Sequence, residues 1–283
     1  MITFFTCPKL HTGVTKIHQE NCLKSLEKIN LKKEIIVFDD ISQFKNEDFT
    51  EDFYRIIHDI EINEFGTPFI NKIFDKAIKQ SKYEILIYLN SDIILNDTLI
   101  KALEIIINSN NDKFIGIGRR ININLNDLIF KFDRDHIEDQ VEKKFQIQNK
   151  WGIDYFIFKK KNFISIPDFL IGRTCWDNWI LNKSKKEKFK LIDCTSIIEC
   201  FHPNHDYSHI KSKKKKTHHK GTEREYNFKL CGGYQNLYNL NDCNFYLNKN
   251  IIKRVPLFKR CRNLLVESFL RLIFYPVLKF LKY

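Results

Sequence analysis

Short, continuous apolar runs alternate along the first half of the chain with longer segments in which apolar residues recur at helical spacing. The runs at 2–6, 34–40 and 85–89 predict buried strands, because they are short and rich in β-branched and aromatic residues. Apolar positions within 14–29 and 69–80 recur every three or four residues and predict amphipathic helices. Strands that alternate with helices in this way build a parallel sheet flanked by helices.

Helix and strand signals continue into the second half with less regularity. Helices are predicted over 96–107 and 176–185, and strands over 113–119, 152–159 and 190–198. The predicted fold is therefore α/β, with a mixed, mainly parallel sheet.

Two intervals interrupt this alternation. Residues 44–62 carry a mixed pattern that predicts a short helix, and residues 121–150 have few periodic apolar positions, which predicts a surface excursion. No internal repeat and no Gly/Ser linker divides the chain.

The composition is that of a folded protein with a large core. The chain has 283 residues, of which 43% are apolar, and 25 Phe and 11 Tyr make it too hydrophobic for a disordered protein. The net charge of +12 indicates an anionic partner, whether a polyanion, a membrane surface or a charged substrate. Most of the excess is Lys, in a chain also rich in Asn, Ile and Phe, and a genome-wide compositional bias is an alternative explanation for that blend. We therefore expect no nucleic-acid partner.

Cysteine spacing and the N-terminal sequence bear on the compartment. The eight cysteines include no C-x-x-C pair and no dense disulfide framework, which is typical of reduced thiols in a cytoplasmic protein. The start, MITFFTCPK, lacks the charged and apolar regions of a signal peptide, and no uninterrupted apolar span of about 20 residues occurs. These features predict a cytoplasmic location.

Basic residues dominate two late segments. The lysine run at 211–220 is typical of a solvated loop, and the alternative is a dedicated binding patch. Residues 257–283 alternate apolar and basic side chains and predict a basic amphipathic helix broken at Pro276. We accordingly divide the chain into a main domain at 1–250 and a C-terminal helical segment at 251–283. That helix would hold the protein on the cytoplasmic face of an anionic membrane, or would pack on the domain or on another subunit.

Three polar stretches lie where predicted strands end or helices begin, namely Asn90-Ser91-Asp92, WDNW at 176–179 and HPNHDYSH at 202–209. In an open α/β sheet such positions converge on the crevice at the carboxyl edge, where ligands bind. Asp92 follows the central strand and needs a partner, because an unpaired buried charge costs several kcal/mol. A divalent cation is one such partner. The alternative is that these three residues form only a polar turn.

The other two stretches each allow more than one interpretation. Asp177 stands between two tryptophans at a predicted helix start, as either an N-terminal cap or a catalytic base. The histidines of 202–209 together with Asp206 suit a transition metal, and zinc if the cluster stood alone. Pro203 argues against a helix that would place these histidines on one face, so some of them would make structural hydrogen bonds instead.

In this order, the three stretches resemble the motifs of nucleotide-sugar-dependent glycosyltransferases of the GT-A fold. The similarity is greatest to a bacterial-type group with N-[AS]-D-I-I-L, then W-D-N-W, then H-x-N-H-D-Y-S-H, and it covers roughly residues 1–247. The resemblance implies a Rossmann-like GT-A catalytic domain that transfers a sugar from a UDP- or GDP-sugar. The acceptor would be a hydroxyl of a glycan or a lipid-linked molecule.

The resemblance also implies a metal cofactor, Mn²⁺ or Mg²⁺, that bridges the two phosphates of the donor. Asp92 matches the last acid of the D-x-D motif that holds this ion, while Asn90 replaces the first acid and weakens the site by one charge. His205 or His209 would supply a further ligand.

Other roles follow from the same resemblance. Asp177 matches the acid that removes the acceptor proton in inverting enzymes, and Asp154 and Trp176 would shape the acceptor pocket. The sequence leaves open whether transfer inverts or retains the anomeric configuration. The residues expected to bind the donor or stabilise its leaving phosphates are Thr6, Asp39 or Asp40, Asn90, Ser91, Arg119, Arg120 and Arg173.

Two alternative functions stay open. A metal-dependent nucleotidyl or phosphoryl transferase would use the same scaffold and metal carboxylate, and would need acids in place of the histidines or a Gly-rich basic phosphate loop near Thr6. A non-catalytic module for membrane or nucleic acid would concentrate its function in 211–220 and 257–283. That module would leave the three motifs without a purpose.

Overall fold

The structure of the protein is a computed structural model. It describes residues 1–9, 12–39, 52–141, 145–161, 163–204 and 221–276. The strands are β1 Ile2–Thr6, β2 Lys33–Phe38, β3 Tyr54–Ile57, β4 Ile85–Leu89, β5 Ile94–Leu95, β6 Phe114–Ile117, β7 Ile121–Ile123, β8 Gln146–Ile147, β9 Tyr155–Lys159, β10 Lys190–Asp193, β11 Cys200–Pro203, β12 Phe245–Asn248 and β13 Ile251–Arg254. The α-helices are α1 Gly13–Lys28, α2 Ile70–Gln80, α3 Thr98–Asn108, α4 Arg134–Asp139, α5 Trp176–Lys186, α6 Thr222–Cys231 and α7 Leu257–Phe269.

A large mixed sheet organises the described part of the chain, with the strand order β13-β12-β10-β6-β9-β4-β1-β2-β3. β4, β1, β2 and β3 run parallel to one another, and β6, β10 and β12 form a second parallel set. β9 lies antiparallel between β4 and β6, and β13 is antiparallel at the edge. This arrangement confirms the predicted α/β fold with a mixed, mainly parallel sheet.

Helices cover both faces of the sheet, which explains why β4 is a continuous apolar run. Leu86 and Tyr88 enter one core, where the ring centroid of Phe5 lies 5.4 Å from that of Tyr88 and 5.0 Å from that of Phe74. Ile85 and its alternate neighbours along β4 point into the other core. A strand between two helical layers has no solvent face, so no polar position interrupts it.

A small second sheet, with the order β5-β11-β7-β8, departs from the prediction for 121–150. This interval supplies β7, α4 and β8, and its buried residues Ile123, Phe132 and Ile137 pack with Phe201 in a third core cluster. The strands of this sheet have two to four residues, which is too short to display a period of two. The spacing of apolar residues in the sequence therefore does not predict these short strands.

Residues 52–62, the described part of the interval predicted to contain a short helix, include the edge strand β3 instead. Its side chains are mostly half-buried, as is usual for an edge. The remainder of that interval lies outside the described residues, as does the lysine run at 211–220.

The described part of the C-terminal segment begins with β13, which pairs with β12. It continues into α7 and a π-helical turn at Leu270–Phe274. Of the segment predicted as helical at 251–283, the first four residues therefore form a strand, and a helix follows from Leu257 towards Pro276, the last residue described. Within the described ranges, no helix is long and apolar enough to cross a membrane.

Candidate functional site

Strand ends bring the predicted site residues to one edge of the large sheet. Because β9 runs opposite to β4, with Leu89 opposite Tyr155, the residue that precedes β9 lies beside the residue that follows β4. The parallel strands contribute their carboxyl ends at this edge. The residues collected here are Thr6 at the end of β1, Asp39 after β2, Asn90 to Asp92 after β4, Arg119 and Arg120 after β6, and Asp154 before β9.

Asp154 is the centre of a buried hydrogen-bonded group at this edge. Asn90 donates its side-chain amide to Asp154 Oδ1 at 2.8 Å and its backbone N–H to the Asp154 carbonyl at 2.9 Å. Arg120 Nη1 lies 3.0 and 3.1 Å from the two carboxylate oxygens of Asp154. Tyr88 donates its hydroxyl to Asn90 Oδ1 at 3.0 Å. Asn90 therefore orients Asp154.

Asp92 is buried next to this group and faces two nitrogen-bearing side chains. Lys9 Nζ lies 2.7 Å from Asp92 Oδ2, and His202 Nε2 lies 3.9 Å from Asp92 Oδ1. The short strand β5 begins two residues after Asp92 and pairs antiparallel with β11, which carries His202 to the carboxylate. The pairing of β5 with β11 thus explains why a histidine distant in sequence is found here.

Asp177 lies in the first turn of α5, and its electrostatics differ from those of an ordinary surface acid. Burial, reinforced by the negative charge of Asp154, raises the pKa of Asp177 to about 7. The backbone N–H of Asn178 donates to Asp177 Oδ1 at 2.9 Å, and this bond together with the charge of Arg120 opposes the rise. A carboxyl group with this pKa can accept a proton near neutral pH.

The turn that precedes α5 has a strained backbone. Cys175 has φ 91° and ψ −32°, a region that favours glycine and costs a residue with a side chain about 1–2 kcal/mol. The Cys175 side chain is buried in the aromatic core, and the chain is forced through this turn directly before Trp176 and Asp177. The turn sets the direction in which α5 presents Asp177.

Trp176, predicted to shape an acceptor pocket, is only 5% exposed. Its ring packs edge-on against Tyr88, at 5.4 Å between centroids, and at a tilt of 42° against Phe156, at 5.7 Å. Most of its surface therefore contributes to the core beneath the crevice. Direct contact with an acceptor stays a prediction.

Arg173 lies in a separate ion pair. Its Nε and Nη2 donate to Glu223 Oε2 at 2.9 and 2.5 Å, and Asn63 donates to the other oxygen of Glu223 at 2.9 Å. This pair joins the loop before α5 to the first turn of α6. The structure does not bring Arg173 into hydrogen-bond contact with the Asp154 group.

Four further predicted residues lie along the same edge. Asp39 is buried, and His58 Nδ1 lies 3.1 Å from its carbonyl oxygen. Arg119 is half-buried, and its backbone N–H donates to Thr195 Oγ1 at 3.0 Å. Thr6 Oγ1 and Ser91 Oγ are buried and have no hydrogen-bond partner among the described residues. Asp40, His205 and His209 lie outside the described residues.

The residues described around Asp92 do not by themselves form a cage for Mn²⁺ or Mg²⁺. No group of three His, Cys, Asp or Glu residues with metal-binding geometry is found in the described ranges. The ammonium of Lys9 lies 2.7 Å from Asp92 Oδ2, and the carboxylate of Asp154 is bound by Arg120. Hard divalent cations require about six oxygen-rich ligands.

The sequence pattern does not identify Lys9 as a site residue, and it identifies His202 only as a member of the histidine cluster at 202–209. A basic residue shortly after the carboxyl end of the first strand is a weak signal, since the chain has 47 Lys and Arg. Only the juxtaposition of the loop after β1 with the end of β4 distinguishes Lys9 from other lysines.

Comparison with known proteins supports the fold. No protein-family model matches the chain, and no curated protein matches it in sequence. S. aureus TarS 1–349, solved in complex with UDP-GlcNAc, is similar at a TM-score of 0.50 and 15% identity, over 75% of this chain and 61% of that chain. The chain therefore spans about three fifths of that structure. A likeness at this identity shows the fold alone, and it agrees with the predicted GT-A architecture.

Two further solved structures are similar at lower scores. The mannosyltransferase PcManGT from Pyrobaculum calidifontis, in complex with GDP-Man and Mn²⁺, has a TM-score of 0.47 and 12% identity over 76% of this chain and 58% of that chain. The 4-diphosphocytidyl-2C-methyl-D-erythritol synthase from Anaerococcus prevotii has a TM-score of 0.41 and 13% identity over 81% and 98%. Similarity at these TM-scores carries no implication for the function of this chain.

Proposed function

We propose that the protein is a glycosyltransferase that moves a sugar from a nucleoside-diphosphate-sugar donor to an acceptor hydroxyl. The observation that carries this proposal is a carboxyl group of raised pKa, Asp177, within electrostatic range of Asp154 and Arg120 at the carboxyl edge of a GT-A-like sheet. An acceptor hydroxyl is a weak nucleophile until a base takes its proton, and a base with a pKa near neutrality is well matched to that task.

The same crevice holds cations suited to a donor with two phosphates. Lys9 forms an ion pair with Asp92, and Arg120 forms one with Asp154. Arg119 and Arg120 both lie in the short segment after β6. The buried hydroxyls of Thr6 and Ser91 offer hydrogen bonds to a nucleotide, since buried polar groups in native proteins are almost always partnered. A UDP-sugar or a GDP-sugar meets these requirements, and the TarS structure was solved with UDP-GlcNAc.

In the proposed reaction Asp177 removes the proton of the acceptor hydroxyl as its oxygen attacks the anomeric carbon of the donor sugar. The bond from that carbon to the β-phosphate oxygen breaks, and its electron pair leaves with the nucleoside diphosphate. Arg120 and Lys9 offset the charge that develops on the leaving phosphate. Attack from the face opposite the leaving group inverts the anomeric configuration, so the proposal is an inverting glycosyltransferase with a glycan or lipid-linked acceptor.

Calorimetric titration of the purified protein with UDP and GDP tests the donor site. The titrations are made with Mn²⁺, with Mg²⁺ and with chelator, on the wild type and on Asp92→Asn and Arg120→Ala. The matched control is Asp97→Asn, at an exposed acid directly before α3. We expect one nucleotide to bind, Arg120→Ala to weaken it by at least about tenfold because a charge-assisted contact is lost, and the control to bind normally.

Failure of both nucleotides to bind under every metal condition would refute the proposal. Binding that depends on Mn²⁺ or Mg²⁺ and is lost in Asp92→Asn would assign the metal to Asp92. Binding that is unchanged by chelator would instead assign the phosphate charge to Lys9 and Arg120.

Lys9 also favours one competing function, a nucleotidyltransferase, because a basic residue in the loop after β1 is one of the features that such an enzyme requires. The two functions release different products. A glycosyltransferase releases UDP or GDP from a nucleotide sugar, whereas a nucleotidyltransferase releases pyrophosphate from UTP or CTP in the presence of a sugar phosphate. Release of pyrophosphate with no binding of a nucleoside diphosphate would replace our proposal.

A further inference from the structure

Helix α7 is packed with its polar side against the domain. Asn263 and Glu267, one turn apart, are both buried, although most neighbouring residues of the helix are exposed. Glu267 Oε1 accepts from Asn241 Nδ2 at 2.8 Å, and Glu267 Oε2 accepts from Asn239 Nδ2 at 2.8 Å. Lys150 forms an ion pair with the same carboxylate. A buried charge with this many partners is held in one geometry.

The polar contact continues one turn further, in the π-helical turn. Arg271 is buried and forms an ion pair with Asp242, and its guanidinium lies 4.5 Å from the ring centroid of Tyr238. Removal of either partner would leave an uncompensated buried charge, so the network resists rotation of the helix. Although burial alone raises the pKa of Glu267, the hydrogen bonds from Lys150, Asn241 and Asn239 lower it below its usual value. The helix is thereby fixed in one orientation.

This orientation leaves the apolar side of the helix in solvent. Phe258 is 82% exposed, Leu265 73%, Phe269 53% and Leu272 64%. Their spacing of seven, four and three residues places them along one stripe on a helix. A helix whose role was only to cover the core would bury such a stripe. Contiguous exposed apolar side chains of this kind mark an interaction surface.

The charge of the segment identifies the chemistry of its partner. Lys259 and Arg262 of α7 are exposed, as are Lys253 and Arg254 of the preceding strand β13. Glu267 is the single acid in the sequence from 249 to 276, and it is buried. The surface is therefore apolar and cationic without a compensating acid. Two such surfaces repel each other, which disfavours a second copy of this chain as the occupant.

We propose that this outer face of α7, defined by Phe258, Leu265, Phe269 and Leu272 with the neighbouring Lys259 and Arg262, docks on an anionic lipid bilayer. The apolar side chains insert at the level of the headgroups, and the cations contact lipid phosphates. The buried Glu267 and Arg271 contacts hold the domain at a fixed orientation above the surface. This inference stands on α7 alone and does not depend on the proposed transferase activity.

Vesicle flotation of the full chain tests the docking surface. The probes are vesicles of phosphatidylcholine alone and vesicles that also contain phosphatidylglycerol. We expect flotation with the anionic vesicles and a decrease as salt rises. The combined variant Phe258→Ser, Leu265→Ser and Phe269→Ser should lose it, whereas the control pair Phe65→Ser and Phe130→Ser, exposed phenylalanines elsewhere, should retain it. A thermal unfolding midpoint for each variant verifies folding.

A charge-reversal pair provides a second test that leaves the apolar stripe intact. Lys259→Glu with Arg262→Glu should lower binding by more than about tenfold, because each cation near an anionic surface contributes a factor of about five. Lys32→Glu with Lys101→Glu makes the same change in net charge elsewhere on the surface and should bind nearly normally.

Three outcomes would overturn the proposal. The first is no binding to anionic vesicles, and the second is equal binding by the α7 variants and their controls. The third is a wild-type dimer in solution that the serine variant converts to a monomer, which would assign the surface to a second copy. Titration of the same preparations with UDP and GDP tests the proposed transferase function separately, so a failure of lipid binding is distinguishable from a failure of nucleotide binding.

Discussion

Replacement of Asp177 with asparagine tests the central electrostatic property of the crevice. The substitution keeps the shape of the side chain and an oxygen that accepts from the Asn178 N–H, but it removes the ability to ionise. The pKa of Asp177 is raised from 3.8 to about 7 in the folded chain. A rise of about three units corresponds to at most about 4 kcal/mol, and we expect about 2 kcal/mol because the residue is only partly buried.

The direction of the effect follows from proton linkage. The folded chain holds the Asp177 proton more tightly than the unfolded chain, so the free energy of unfolding of the wild type falls as the pH rises from about 4 to about 7. The Asp177→Asn variant lacks this decrease. We expect the two proteins to have similar stability near pH 4 and the variant to be more stable by about 2 kcal/mol above pH 8.

Urea unfolding followed by tryptophan fluorescence, measured at several pH values, gives both free energies. Asp97→Asn, at an exposed acid that precedes α3, is the matched control and should show no such divergence from the wild type. A difference between Asp177→Asn and wild type that does not grow with pH would refute the argument that burial raises the pKa of Asp177.

Activity provides an independent measurement on the same variant. If Asp177 is the base, kcat/KM of the wild type rises through pH 7, and Asp177→Asn loses at least about 100-fold. A variant that is more stable but less active would show that the protein tolerates an unfavourable, partly buried acid for its chemistry. Full activity in the variant would limit Asp177 to a structural role.

Two further substitutions test neighbouring features. Lys9→Met removes the cation on Asp92, so Mn²⁺ should bind several-fold more tightly in the absence of nucleotide if Asp92 is the metal ligand, as measured by calorimetry; unchanged affinity would place the metal elsewhere. At Cys175, where φ is 91°, Cys175→Gly should be more stable than Cys175→Ala by about 1 kcal/mol in urea unfolding, because both lose the thiol but only alanine keeps the backbone strain. The opposite order, which is usual for glycine and alanine, would show that the turn is unstrained.

Much of the large sheet is readable from the sequence because its strands are buried on both faces. In β4 every position is buried and apolar, and β1 and β2 are buried at all positions but Lys33, so each strand contains an apolar run that differs from the adjacent helices. The small sheet is not readable in this way. Its strands are two to four residues long and obtain their burial from one another, so none carries a pattern by itself.

The residues of the candidate site also differ in whether the sequence alone identifies them. Asp92 and Asp177 are identifiable from the sequence because each follows a strong signal, a buried strand or a helix start. The residues that contact them and their neighbours in the site are not identifiable from the sequence. The bond between Asn90 and Asp154 depends on β9 running antiparallel beside β4, and the contact of Lys9 with Asp92 depends on the parallel register of β1 and β4. Strand register is a long-range property that neighbouring residues do not encode.

Helix α7 shows the same distinction most directly. The alternation of apolar and basic residues by itself determined that the segment is an amphipathic helix, because amphipathicity is a local periodicity. Only the tertiary structure decided which side faces the domain. Buried partners for Glu267 and Arg271 lie on the 3₁₀ turn Leu240–Asp242 and its neighbours, far along the chain, and they turn the polar side inward. Local patterns specify what an element is, whereas the contacts that orient it come from residues that only the folded chain brings together.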